Sequence, residues 1–327
     1  MTPSSPKCAV RSDKEEQDST QNATKAPHQG AGFAVILKRI DAYERLMRLD
    51  KPVGILLLLW PTLWAFFLAT RGELMPAMLW VFILGTVLMR SAGCIVNDIA
   101  DRDFDRHVER TRARPLVTGE VSLAEAWLLC AVLLLCALTL AWTINSVLVW
   151  WLSLPALLIM ASYPLAKRWL VLPQAHLGIA FSWGIPIAFA AVLETLPTVA
   201  WWLFAANFFW VIAYDTEYAM VDRPDDLKTG IKTSAIFFGR FDVAAVMLCY
   251  AAMLGIFGFA GYDLICRANW SMFYWLLGAI LVAAVLMAHQ YILIRGRDPQ
   301  RCFLAFRLNH WIGLTILVGI WLTFGAH

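Results

Sequence analysis

Charged residues are scarce in this chain. Asp, Glu, Lys and Arg make up only 16% of its 327 residues, whereas 60% are hydrophobic, and the mean hydropathy is +0.63. That balance excludes a soluble globular domain and describes a polytopic membrane protein. Paired cysteines are lacking as well. The seven cysteines (Cys8, Cys94, Cys130, Cys136, Cys249, Cys266 and Cys302) are odd in number and form no C-x-x-C pair, so neither a disulfide framework nor a zinc site is expected. Within helices they act as small apolar fillers. The N-terminal stretch lacks the early apolar core of a signal peptide, and Asp13, Glu15 and Glu16 argue against a mitochondrial presequence. Residues 1–32 are expected to form a disordered cytoplasmic tail. The net charge of +3 does not call for nucleic acid, because basic residues in a membrane protein are first of all topology signals.

What the chain has in abundance is long apolar runs. From Phe33 to Lys51, Ile36, Leu37, Ile40, Tyr43 and Met47 recur at helical spacing between basic residues, which suits a helix lying on the membrane surface. Nine apolar segments follow, at about 52–70, 76–96, 123–143, 146–165, 175–194, 198–217, 241–261, 270–292 and 308–325, each near the roughly 20 residues that a bilayer core requires. The expected fold is therefore all-α: a bundle of nine transmembrane helices over residues 33–327, with aspartate-rich loops at its cytoplasmic mouth. With the N-terminus inside, 25 of the 27 Lys and Arg fall on the cytoplasmic side, leaving only Arg71 and Arg267 opposite. This count takes six basic residues in and around the loop after the second span.

Two acidic stretches stand where apolar runs end, at residues 97–105 and 214–226, and they share the core Asp-Arg-x-x-Asp at Asp101 to Asp105 and at Asp222 to Asp226. The repeat, four spans apart, argues for duplication of a four-helix unit. On a helix continuing past Asn97, Asp98, Asp101 and Asp105 share one face while Asp103 points elsewhere. Three carboxylates on one face repel one another unless a cation lies among them, and an all-oxygen set suits Mg²⁺, which keeps waters and bridges to phosphates. Asp215, Asp222 and Asp226 repeat the one-face spacing, although Pro224 weakens the helical reading there, so that Asp222 would cap a helix end with Asp225 and Asp226 in a loop. Basic residues accompany both clusters: Arg102, Arg106, Arg110, Arg112 and Arg114 the first, Lys228 and Lys232 the second. Their forks and ammonium groups suit phosphate oxygens. His107 and His310 lack metal-ligand spacing.

The stretches NDIADRDFDRHVERTRARPL (97–116) and YDTEYAMVDRPDDLKTGIKTSA (214–235) resemble the two signatures of the UbiA family of intramembrane prenyltransferases, the second in the form carried by its ubiquinone-pathway branch. RLDKPVGILLLLWPTLWA (48–65) and YPLAKRWLVLPQAHLGIAFSWGIPIA (163–188) resemble the same branch, so that the likeness covers residues 40 to 325. The resemblance implies Mg²⁺-dependent transfer of a polyprenyl group from its diphosphate to the ring carbon ortho to the hydroxyl of 4-hydroxybenzoate, in ubiquinone biosynthesis. It also implies that Asn97, Asp98, Asp101, Asp105, Asp222 and Asp226 hold metal and diphosphate, and that Arg114, Lys228 and Lys232 neutralise the leaving group. Tyr214 and Tyr218 are candidates to stabilise the allylic cation, the competing reading being tyrosines of the interfacial belt. Lys167 and Arg168 are the candidates for the acceptor carboxylate.

Two other readings compete. A family member with another aromatic or a porphyrin acceptor would show the same motifs. A cation-coupled transporter would carry its acids near the bilayer midplane in broken helices, whereas these stand at one mouth beside cations that repel such a cargo. The expected setting is the bacterial inner membrane, with the N-terminus cytoplasmic. The orientation is testable: cytoplasmic reporters fused after residue 170 or 232 should be active, and periplasmic reporters near residue 145 or 264. Reversed activities would invert the topology.

Overall fold

The computed structural model describes residues 29–106, 111–265 and 270–325, with side chains described except at 29–32, 167, 229, 263–265, 270–273 and 325. His107, Arg110 and the side chain of Lys167 therefore lie outside the described residues. Among them every regular element is helical. The chain divides at Asp41, and Ala42–His327 form one compact unit.

The helices are α1 (Gln29–Met47), α2 (Val53–Ala69), α3 (Pro76–Asp105), α4 (Pro115–Thr118), α5 (Leu123–Ile144), α6 (Val147–Trp169), α7 (Pro173–Ser182), α8 (Gly184–Leu193), α9 (Thr198–Thr229), α10 (Ser234–Phe238), α11 (Asp242–Ile265), α12 (Trp270–Ile294) and α13 (Pro299–Gly325). Their ends follow local chemistry. Pro76 opens α3 where its missing N–H costs nothing. Ser122 and Glu125 form a capping box at the start of α5. Gly230, at a φ of 73°, closes α9.

Among the described residues, seven segments are long and apolar enough to cross a membrane: Pro76–Asp105, Leu123–Ile144, Val147–Ala166, Pro173–Leu193, Ser234–Tyr262, Tyr274–Ile294 and Pro299–Phe324. The protein is multi-pass. Two of the nine expected crossings do not meet that measure. Helix α2 has 17 residues, about 25 Å of helix against a hydrocarbon core of about 30 Å. It is instead largely enclosed, with Leu63 to Ala69 all buried, and packs on α3, α8 and α13. Helix α9 is long, but Trp201, Trp202, Asn207, Trp210 and Asp215 dilute its apolar character.

Two departures from the expected elements have physical causes. The fifth apolar run is two helices, because Pro186 in α8 can neither donate to the Ser182 carbonyl nor fit its ring beside it, and Ser182 ends α7. In α9 the opposite holds: the helix runs through Pro224 to Thr229, so Asp222 is not a cap and Asp225 and Asp226 are helical. That last turn is held by one contact from another helix and two of its own. Arg223 reaches Asp242 at 3.3 Å, Lys228 reaches Asp225 at 3.0 Å, and the Gly230 N–H returns to the Asp226 carbonyl.

The centre of the bundle is aromatic. Trp64 of α2 and Trp210 of α9 stack at 5.3 Å, and Trp64 Nε1 donates to the Gly313 carbonyl of α13 at 2.9 Å. A Cβ at Gly313 would lie 2.4 Å from Trp60 Cδ1 and 2.6 Å from Trp210 Cη2, so only glycine allows this close approach. Gly313→Ala should lower thermal stability in detergent, because overpacking costs about 1–3 kcal/mol and exceeds the roughly 0.5–1 kcal/mol that Ala gains over Gly within a helix. Gly258→Ala, whose Cβ would meet only Ile280 at 3.9 Å, is the control and should not lower it.

Candidate active site

A cavity of about 1320 Å³ opens into the bundle between α2, α3, α5, α6, α7, α8, α9 and α13. Its head is polar and takes Asn97 and Asp98 from α3, Asp215 and Tyr218 from α9, and Arg114. Deeper in, the wall becomes apolar, with Leu134 and Leu138 of α5, Leu157 and Met160 of α6, and Ile187 of α8. Among the described wall residues, Arg48, Lys51, Arg90, Arg114 and Arg307 outnumber the acids Asp50, Asp98 and Asp215. A chamber with that balance suits an anionic headgroup on an apolar body and disfavours a bare cation as cargo.

Asp98 is 1% exposed. Arg48 Nη2 stands 2.7 Å and 3.0 Å from its two oxygens, and Arg114 Nη1 stands 3.0 Å from Oδ1. Arg114 also grips Asp105. Each arginine is delivered by a local device. Leu49 N–H bonds to the Glu44 carbonyl and Arg48 N–H to that of Arg45, a helix-ending pattern whose left-handed position usually holds glycine. Here Arg48 takes it, at a φ of 59°. A strained backbone kept at a site residue points to use of its side chain. Burial works to lower the Arg48 pKa, but Asp98 beside it holds the guanidinium above its ordinary value. Pro115 forces the residue before it into an extended conformation, and Arg114, at a φ of −67° and a ψ of 142°, stands at the head of α4.

Helix α3 runs without a break through Asp105, so Asp98 and Asp105 are buried, Asp101 is half-buried and Asp103 is exposed. On α9, Asp215 is in the cavity wall, and Asp222 and Asp226 follow along the helix, half-buried. Tyr218 lines the cavity with its ring 4.8 Å from Phe306 of α13. Tyr214, 2% exposed, has a hydroxyl with no hydrogen-bond partner.

Other sequence candidates lie elsewhere. Lys228 is exposed and paired with Asp225. Lys232 and Asp226 line a separate cleft of about 270 Å³. Arg168 donates to the Ala100 carbonyl at 2.9 Å and lies 5.1 Å over the Phe104 ring, on the outer end of α3 and not in the described cavity wall.

The cavity contains cations that sequence reasoning overlooked. Arg48 opens the stretch 48–65 that carries part of the family resemblance but was given no role there, and Arg307 was counted only as a topology signal. Arg90 was taken with the loop in the charge count, yet it sits inside α3, eight residues before Asp98, or about 12 Å deeper along the helix. Its Nη1 approaches Cys94 Sγ at 2.9 Å and its Cζ stands 5.6 Å from the Phe181 ring centroid. Its Nε has no partner, and among the described residues no carboxylate pairs with it. An arginine inside an apolar span is itself a functional signal, and this one was available in the sequence.

Residues 58–313 match the model of the UbiA prenyltransferase family. The 4-hydroxybenzoate octaprenyltransferase of Dechloromonas aromatica (strain RCB) is 58% identical over 288 residues, covering 88% of this chain and 95% of that protein. The enzyme of the same description from Nitrosomonas europaea is 57% identical over 282 residues, covering 86% and 94%. Among solved structures, a UbiA homolog from Aeropyrum pernix K1 in its apo form superposes with a TM-score of 0.69 at 27% identity, over 80% of this chain and 96% of that one. A UbiA homolog from Archaeoglobus fulgidus bound to GPP and Mg²⁺ shares the fold at a TM-score of 0.59 and 21% identity, over 84% and 99%. With the family's model spanning residues 58–313 and relatives more than half identical over most of its length, this chain belongs to the UbiA prenyltransferase family.

Proposed function

We propose that this protein, in the bacterial inner membrane, transfers a polyprenyl group from its diphosphate to the ring carbon ortho to the hydroxyl of 4-hydroxybenzoate. The carrying observation is a cavity whose cation-rich head takes one aspartate from each acidic stretch, Asp98 and Asp215, and whose body is apolar. The bond from the prenyl C1 to the diphosphate oxygen breaks, a bond from C1 to the ring carbon forms, and the ring loses a proton as diphosphate departs.

Asp98, Asp101, Asp105, Asp222 and Asp226 offer the all-oxygen donor chemistry that a hard divalent cation takes. Among the described residues no three acids are gathered closely enough to hold a metal, which accords with Arg48 and Arg114 occupying Asp98 and Asp105. Mg²⁺, when bound, supplies positive charge to the diphosphate oxygens. Arg48, Arg114 and Arg307 bring guanidinium forks to the same end, and the first two can turn from carboxylate to phosphate. Asn97 adds an amide at the head. Tyr218, Tyr214 and Phe306 present aromatic surface to the allylic cation, while the apolar walls keep out the water that would quench it.

The acceptor carboxylate needs a cation away from the aspartates. Arg90 fits better than Arg168, because it lines the cavity without a carboxylate partner whereas Arg168 is engaged on the outside of α3. The ring would then lie between Arg90 and the diphosphate head.

The direct test is to incubate membranes containing the protein with Mg²⁺, a polyprenyl diphosphate and 4-hydroxybenzoate, and to identify the product by mass. Failure with this acceptor but success with another aromatic would redirect the reading within the family. Chelation with EDTA should abolish turnover and added Mg²⁺ should restore it. Asp98→Ala and Asp222→Ala should lose most activity while still inserting, with Asp103→Ala mild.

Arg90→Ala should raise the KM for 4-hydroxybenzoate more than that for the prenyl diphosphate. A lost charge-assisted contact of about 1.5–3 kcal/mol corresponds to roughly a tenfold to hundredfold change. A larger effect on the diphosphate, with each substrate titrated separately, would move Arg90 to the phosphate side.

A further inference from the structure

Behind the cavity wall lies a polar group that the transfer reaction does not use. Glu217 and Asn309 are fully buried, Tyr250 is 1% exposed and Trp210 is fully buried. They belong to α9, α13, α11 and α9 in turn. No lysine, arginine or histidine among the described residues pairs with Glu217.

The orientation of Asn309 is determined by its surroundings. Trp210 Nε1, which can only donate, stands 3.0 Å from Oδ1. The Ala305 carbonyl, which can only accept, stands 3.1 Å from Nδ2. Oδ1 is therefore an acceptor, and Nδ2 donates its other hydrogen to Glu217 Oε2 at 2.8 Å.

The protons can now be counted. The Tyr250 hydroxyl oxygen stands 2.8 Å from Asn309 Oδ1 and 2.9 Å from Glu217 Oε1. Two oxygen–oxygen contacts at those distances require two protons. Tyr250 supplies one, and an acceptor amide oxygen supplies none. The second must reside on Glu217. With Tyr250 donating to Asn309 and Glu217 donating to Tyr250, every group in the cluster is satisfied. An ionised Glu217 would leave one pair of oxygens facing without a proton, and would place an uncompensated charge inside the bundle.

We propose that Glu217 is a neutral carboxylic acid and serves as the positioning residue that clasps α9 to α11 and α13. Its neighbours in the chain face the cavity: Asp215 and Tyr218 line it. One turn before Asn309, Phe306 packs on Tyr218 at 4.8 Å and on Tyr214 at 6.1 Å. The clasp thus holds the register in which these three rings form the aromatic wall. The positioning role rests on the prenyl-transfer reading; the protonation state does not.

Glutamine reproduces the donor and acceptor of a protonated glutamate, so Glu217→Gln is the informative substitution. Infrared difference spectra of the purified full-length protein, parent against Glu217→Gln at neutral pH, should show the loss of one carboxylic-acid C=O stretch and no loss of carboxylate bands. The Gln variant should keep the parent's melting temperature, kcat and KM values, whereas Glu217→Ala should reduce kcat by about tenfold or more. A carboxylate band lost in place of the acid band would overturn the protonation state. A Gln variant as impaired as the Ala variant would overturn it as well. An Ala variant with parental kcat would overturn the positioning role. Should Glu217→Ala fail to fold, the spectra and the Gln variant still decide. Absence of transfer by the parent itself, with the acid band present, would count against the assigned reaction and not against the clasp.

Discussion

Carboxylates cannot be drawn into the mouth of an apolar bundle without counter-charge, and the structure is arranged around meeting that demand at Asp98. The desolvation of a buried carboxylate is large enough that an unpaired one would take up a proton or destabilise its surroundings. Two arginines from distant parts of the chain meet it. One arrives through a left-handed turn that glycine would occupy more comfortably, the other through an X-Pro step ahead of a four-residue helix. Loop geometry, helix length and the depth of the first acidic stretch are thus consequences of one electrostatic requirement. The same requirement gives the head its chemistry, because guanidinium groups that satisfy carboxylates also satisfy phosphate oxygens.

Helix α3 shows how closely scaffold and chemistry are joined. Its outer end carries Asp103 toward solvent, its inner face carries Asp98 toward the cavity, and Arg90 lies within the part that composition alone assigns to lipid. Helix α9 does the equivalent with Trp210 and Glu217 turned to the core and Asp215 and Tyr218 to the cavity. Each is amphipathic in a three-way sense: one helix serves lipid or core, substrate and solvent.

Much of this was legible in the chain. The apolar runs predict helices because their length and composition act locally, and the spacing of Asp98, Asp101 and Asp105 predicts a shared face because helix geometry does. Proline was the harder signal. Pro186 breaks a run that looked continuous, and Pro224 fails to break one, since the ion pair from Arg223 to Asp242 comes from another helix and is invisible in the local sequence. The arginines were misweighted for a related reason. Counting charges by side of the membrane treats Arg168 and Arg90 alike and so hides Arg90, whose meaning depends on being inside a span. The clasp of Glu217, Tyr250 and Asn309 joins residues up to 92 apart, and no periodicity could have brought them together.

The contact between Trp64 and the Gly313 carbonyl joins positions 249 residues apart. Helix α2 is too short and too enclosed to be held by lipid alone, and its partner α13 is the last helix of the described chain. During synthesis α2 must therefore wait, with Trp64 unsatisfied, until nearly every other helix has been made. Completion of the core is tied to emergence of the segment from Pro299 onward, so a chain arrested before that point would hold most of its spans and still lack a closed centre.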